Sequence, residues 1–451
     1  MADWNERLSD SIRQSQTLRL VTVAVLVLLL LIPVGMIRGL IAERQERQSL
    51  AIDEISSKWG GEQQVVGPFL LVPYAEDLVQ SSEGGKTIVK RYARHAVFLA
   101  DSLVTTANLT SESRSRGIYS VPVYRMDLTV SGTFSRPRLE ALGVTPTAVS
   151  WDRIHLVLGI ADTRAIQART AIKWGAAEVP MMPGGGSPAV IRSAIHAIVE
   201  FPEGSDQLSF SLPLVLNGSR GAYFVPFGES TVVRLESDFP HPSFQGNWLP
   251  ASRDVSGTGF SAEWSIPFLG RSFPQAWTAT DKPGMNEIVE SARFGVDLVD
   301  PVDHYSMAER SVKYAGLFIL LTFATLWLFE VRANVRVHPI QFLMLGGALC
   351  LFYLLLLSIS EHVAFTGAYA LASLAVIAMA GSYGLVVLGA FSRALAIGIV
   401  VALLYGYLYV LLVNEDYALL IGSIGLFLIL AVIMYATRKV DWYAVGSRSG
   451  R

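Results

Sequence analysis

Apolar residues run almost unbroken over 20–37 and again in five later blocks, 314–329, 340–359, 364–386, 394–413 and 417–436. A bilayer core of about 30 Å takes roughly 20 apolar residues in a helix, so the blocks predict six membrane spans. Arg19 and Arg38 bracket the first, and Pro33 inside it is tolerable where neighbouring helices can satisfy the backbone group it frees. The stretch is long for a signal peptide, and no small-residue cleavage site precedes Glu43-Arg-Gln-Glu-Arg47, so an uncleaved anchor is the better reading. Only Ser392 and Arg393 clearly part the third and fourth later blocks; joined, they would make a stretch of roughly 50 residues, too long for one crossing.

Between the first block and the rest the pattern changes. Ile41, Leu50, Ile52 and Ile55 continue the first helix as an amphipathic stalk, and past Gly60-Gly61 apolar and polar residues alternate. Segments 118–130, 208–216 and 260–266 show the two-residue period of strands. Turn signals separate them at Glu83-Gly-Gly85, Pro183-Gly-Gly-Gly186, Asn217-Gly218 and Pro240-His-Pro242, with short helical stretches at 138–142 and 163–168. The expected fold is a multi-pass α-helical membrane protein with a large inserted β-rich, sandwich-like domain. Its segments are an N-terminus 1–19, an anchor helix 20–37, a β-rich domain 38–311 with a helical stalk, a five-helix region 312–437 and a tail 438–451.

Composition sharpens this division. The chain has 451 residues, 51% hydrophobic and only 16% charged, against roughly 25% charged in a soluble domain. Charges nearly vanish from 312 to 436. The net charge of −2 makes no electrostatic case for nucleic acid. Cys350, the one cysteine, falls in an apolar block, so the β-rich domain has neither a disulfide nor a cysteine-based zinc site.

Lys and Arg in short loops set orientation. Arg7, Arg13 and Arg19 before the first span balance Arg38, Arg44 and Arg47 after it, so the later loops decide. Arg332, Arg336, Arg393 and the tail's Arg438, Lys439, Arg448 and Arg451 fall on one side, whereas the 360–362 and 414–416 loops carry acids and no Lys or Arg. Both termini are therefore expected in the cytoplasm and the β-rich domain outside it. Trp327, Tyr417, Trp442 and Tyr443 near span ends form the usual interfacial belt. Gly35 and Gly39 make a GxxxG, a candidate helix-packing contact.

Candidate chemistry is sparse. Glu83-Gly-Gly-Lys-Thr87 resembles the end of a phosphate loop, but Gln80 stands where the first glycine is needed, and a hairpin turn is the better reading. H-E-x-x-H, G-x-S-x-G and S-x-x-K are absent. Asp300, Asp303 and His304 could hold a metal or simply form a solvated junction. Glu361 and His362 are the only closely flanked ionisable pair of the apolar region, a candidate proton or substrate path were they inside the bilayer. The span count puts them in a loop instead. His95, His155, His196 and His241 are scattered singly through the outer domain. No residue is assigned as catalytic, cofactor-binding or metal-ligating, and the expectation is a non-enzyme.

Several strings resemble the CreD family of inner-membrane proteins. They are Val66-Gly-Pro-Phe-Leu-Leu-Val-Pro73, His241-Pro-Ser-Phe-Gln-Gly-Asn-Trp-Leu-Pro250 with Arg253-Asp-Val-Ser, and Asp303-His-Tyr through Ala308-Glu-Arg. Lys313-Tyr-Ala, His338-Pro-Ile-Gln-Phe, Phe352-Tyr-Leu-Leu-Leu-Leu357, Ser360-Glu-His362 and Asp441-Trp-Tyr443 follow in order, so the resemblance covers essentially the whole chain. It implies the inner membrane of a Gram-negative bacterium and a role in envelope integrity, colicin tolerance and the β-lactam response, under a two-component regulator. It carries over no catalytic residue. Besides the lipid bilayer, the expected partner is a periplasmic protein, a cell-wall component or a lipid bound by the outer domain. A permease or lipid transporter built on the helix cluster, and a membrane-bound envelope-modifying enzyme, remain as alternatives. The few buried charges in the spans and the lack of an internal repeat weigh mildly against transport.

Overall fold

The structure, a computed structural model, describes every residue except 1–15, 82–86, 145, 187–190, 192, 280–284, 299–303, 334–336, 415–416 and 439–451. The chain divides into two compact units, Leu50–Pro301 and the combination of Met1–Ser49 with Val302–Arg451. Helix α1 (Gln16–Trp59) contributes to both. Its 44 residues correspond to about 66 Å at 1.5 Å per residue, over twice a bilayer core. The stalk read from Ile41, Leu50, Ile52 and Ile55 is thus the second half of one helix.

The inserted unit is built from strands β1 (Gln63–Ser81), β2 (Thr87–Arg116), β3 (Tyr119–Ser135), β4 (Ala148–Val149), β5 (Ile154–Ile160), β6 (Ala171–Trp174), β7 (Ala177–Pro180), β8 (Met182–Pro183) and β9 (Ala194–Val199). It continues with β10 (Gln207–Ser219), β11 (Gly221–Val225), β12 (Gly228–Ser237), β13 (Pro242–Gly246), β14 (Ser252–Ser256), β15 (Gly259–Pro267), β16 (Ala276–Thr278), a short helix α2 (Met285–Ala292) and β17 (Phe294–Leu298). Single-turn helices at Leu139–Leu142 and Thr163–Ala165 fall where short helical stretches were expected.

Two sheets share the long strand β2. Sheet A runs β8–β9–β5–β1, after which one half of β1 pairs with β2 and the other with β11, which leads to β17 and β13. Sheet B runs β7–β6–β10–β3–β2–β12–β15–β14. The alternation in β3 becomes the two faces of a sheet: Met126, Leu128 and Val130 are buried, while Arg125, Asp127 and Thr129 point to solvent. Aromatic contacts such as Trp264 on Phe294 (5.6 Å) and Phe134 on Phe210 (5.2 Å) fill the core, each adding about 0.5–1.5 kcal/mol beyond area burial.

One turn expectation is overturned. Asn217-Gly218 does not reverse the chain; β10 runs through it, with Gly218 opposite Tyr124 of β3. A Cβ on Gly218 would lie 2.3 Å from the Tyr124 ring. The glycine is there for close approach of a buried phenol, whose hydroxyl donates to the Gly221 carbonyl at 2.7 Å. The end of α1 seats beside it: the Ser219 hydroxyl lies 2.9 Å from both the Ser56 hydroxyl and the Gly60 carbonyl. Gly60 has φ +140 and touches the Asn217 carbonyl, a position no side chain could share. Arg114 stacks on Trp59 at 4.2 Å, and Asp53 pairs with Arg220.

In the other unit, α3 (His304–Lys313) and α4 (Ala315–Ala333) form a pair bent by 44°. They are followed by α5 (Pro339–Ser360), α6 (Phe365–Leu388), α7 (Phe391–Val413) and α8 (Ala418–Thr437). Among the described residues five helices, α1 and α5 to α8, are long and apolar enough to cross a membrane, and the bent pair makes a sixth if counted as one broken span.

Gly35 and Gly39 have open space where a Cβ would sit, so the candidate GxxxG contact is not made among the described residues. Close approach occurs instead at Gly346 of α5, where a Cβ would meet Leu30 and Phe323. One turn further along α5, the thiol of Cys350 donates to the Leu30 carbonyl at 3.8 Å. Pro33 has no N–H to return to the Leu29 carbonyl, and the Cys350 contact falls on the next carbonyl along the same turn.

Candidate functional site

Helix α5 ends at Glu361, and the ionisable pair that stood out in the sequence is split there. Glu361 turns inward, its side chain 11% exposed, and accepts from the Tyr305 hydroxyl at 3.1 Å. The Arg44 guanidinium lies 3.7 Å away. His362 is exposed. One carboxylate thus ties α1, α3 and α5 together. On the same two helices α1 and α3, Arg38 approaches Glu309 at 3.4 Å, and Lys313 reaches the same carboxylate at 3.8 Å.

His304 opens α3 with its ring 4.1 Å from that of its neighbour Tyr305. Asp300 and Asp303 lie outside the described residues, as do Arg336, Lys439, Arg448, Arg451 and most of the Glu83–Thr87 string. The strands flanking that string pair as far as Ser81 with Thr87. Chemically, the Arg44–Glu361–Tyr305 group is a carboxylate paired with a guanidinium and accepting one phenol hydrogen bond. Its geometry suits holding helices together.

The inserted unit carries two further constellations. The first is a shallow groove of about 320 Å³ along the outer strands of sheet B, lined by Arg234, Glu236, Arg253, Asp254 and Glu263 among others. Arg234 donates to Glu263 at 2.7 Å across the β12–β15 pair. β14 is exposed along its whole length and, among the described strands, pairs with β15 alone. It therefore presents an open row of backbone donors and acceptors.

The second joins histidines that the sequence leaves scattered. His155 on β5 and His196 on β9 have ring centroids 5.1 Å apart. The pairing of β1 with β5 and with β2 puts His95 on the same face: Leu71 stands opposite His155, and Pro73 opposite His95. Burial holds His155 and His95 below the usual imidazole range, and for His155 the other two rings add like-charge repulsion against protonation. Single-sequence reading misses this face because the three residues come from strands whose register is set by non-local pairing. The one local hint is the glycine run after Pro183, which lies against two of the rings.

Residues 15–443 match the family profile described as "Inner membrane protein CreD". The chain is 34% identical to Inner membrane protein CreD of Escherichia coli (strain K12) over 421 residues, 93% of this chain and 92% of that one. A shorter likeness, 37% over 95 residues, links it to a UDP-3-O-acyl-N-acetylglucosamine deacetylase of Saccharophagus degradans, covering 21% of this chain and 31% of the enzyme. Among solved structures, an M1 zinc metallopeptidase mutant from Deinococcus radiodurans aligns over 49% of this chain and 54% of its own, with 8% identity and a TM-score of 0.22. A similarity of that size carries no argument about fold or activity.

Proposed function

Because the chain belongs to the CreD family of inner membrane proteins, we propose that it supports envelope integrity as a non-catalytic, membrane-anchored binding protein. Its β-rich unit acts on the periplasmic side. Orientation is supported by the Lys and Arg of the later loops and tail, which fall on the alternate side to Glu361 and Asp416.

The observation that carries the binding role is the free edge of sheet B. The fully exposed β14, flanked by a groove of mixed charge, suits an extended segment of a periplasmic protein added as a further strand. Main-chain hydrogen bonds would supply affinity there, and the Arg253, Asp254 and Glu236 side chains would supply selectivity. Cell-wall glycans and lipids are the competing partner classes.

In-cell photocrosslinking from positions 254 and 255 tests this. Adducts with a periplasmic protein are expected at both. Val255→Pro, which blocks the edge while leaving the core untouched, should abolish them and lower tolerance to β-lactams at unchanged protein level. Adducts with glycan or lipid alone, or full tolerance in Val255→Pro, would count against a protein partner at this edge.

A further inference from the structure

The histidine face of sheet A has the makings of a metal site. β5 and β9 pair antiparallel with His155 opposite Ile198 and Val157 opposite His196, so the two histidines are diagonal neighbours on one face. A glycine loop closes over them. The Nδ1 of His196 donates to the Gly184 carbonyl at 2.7 Å. Gly186, at φ +71, lies so close to the other ring that a Cβ there would be 2.8 Å from the His155 Nδ1. Both Nδ1 edges therefore face the loop. The Nδ1 of His155 is buried and makes no hydrogen bond.

We propose that His155 and His196 together bind a divalent first-row transition-metal ion, His196 through its Nε2 atom, copper(II) most tightly. The spacing fits. Two imidazoles on one ion at about 2.05 Å and a tetrahedral angle place their ring centroids roughly 5.2 Å apart, and the pair stands at 5.1 Å.

The orientation of His196 fits as well. A ring nitrogen donating to a backbone carbonyl fixes the tautomer and leaves the other nitrogen's lone pair for a metal. Two imidazoles without thiolate or carboxylate suit copper, nickel and zinc, and copper(II) heads the affinity order. Among the described residues no three His, Cys, Asp or Glu side chains converge on one point. The protein would thus supply two ligands and solvent the rest, making an open site from which the ion exchanges. The strand edge invoked for partner binding lies on sheet B, so either idea can fail without the other.

The test uses the full chain without a polyhistidine tag, purified in detergent and stripped with chelator. Copper(II) titration followed by electron paramagnetic resonance should give one tight equivalent with hyperfine structure from two imidazole nitrogens. His196→Gln and His155→Gln should each weaken binding at least tenfold, while His241→Gln binds as the parent does. If His155→Gln does not fold, His196→Gln decides alone. Affinity unchanged in His196→Gln, or an adventitious ion only, displaced equally from every variant, would overturn the assignment.

Discussion

Glu361 receives a phenol hydroxyl and faces a guanidinium, and these two contacts decide what replacing it does. Gln keeps an oxygen for Tyr305 and loses only the attraction to Arg44, whose side chain is 35% exposed and partly screened. Glu361→Gln should therefore lower stability in detergent by about 1 kcal/mol or less. Glu361→Gln and His362→Gln should also leave β-lactam tolerance intact. Lost tolerance in a well-folded variant would revive a proton path through the bundle. Two histidines of the inserted unit, His155 and His95, respond to pH instead. His155 and His95 are held neutral below their ordinary value near 6.5. Below that pH the unfolded chain binds more protons than the folded one, so stability falls with pH until the lowered folded values are reached and is flat above 6.5. Melts in chelator-treated buffer between pH 7 and 5.5 should show this decline, and it should be shallower in His155→Gln.

At the level of elements, the helices were legible because their signal is local. Length and apolarity mark α1 and α5 to α8 without reference to the rest of the chain. The strands with strict alternation, β3, β10 and β15, were legible for the same reason. Gly218 was not. Asn-Gly between apolar runs is a strong hairpin signal, and what overrides it is the ring of Tyr124, nearly a hundred positions earlier, pressed against the glycine across β3 and β10. Gly218→Val would drive a branched side chain into that ring. A loss of about 1–3 kcal/mol is expected from overpacking, read as a lower midpoint in thermal or denaturant unfolding. Ala at the same site should cost less, because fewer atoms meet the phenol. The histidine face was hidden in the same way, since a one-residue slip of β5 against β1 would turn His155 to the opposite side.

For the whole molecule, orientation is the claim on which the proposed role stands, and the chain is well suited to testing it. Cys350, its one cysteine, is buried, so a second cysteine introduced at the surface would be labelled over a low background. Ser256, exposed at the end of β14, reports on the inserted unit, and Ser447 on the C-terminal tail. Arg438 and Lys439 with Arg448 and Arg451 favour retention of that tail in the cytoplasm, whereas the loop at Glu361 has no such cations. A membrane-impermeant maleimide added to intact spheroplasts should therefore label Ser256→Cys within minutes. Ser447→Cys should be labelled only after permeabilisation. The opposite pattern would place β14 in the cytoplasm and remove periplasmic binding altogether. Labelling of both in intact cells would mean an odd number of crossings, with the bent pair α3–α4 as the segment to re-examine, because its 44° break is, among the described residues, the one place where a span by composition departs from a single straight helix.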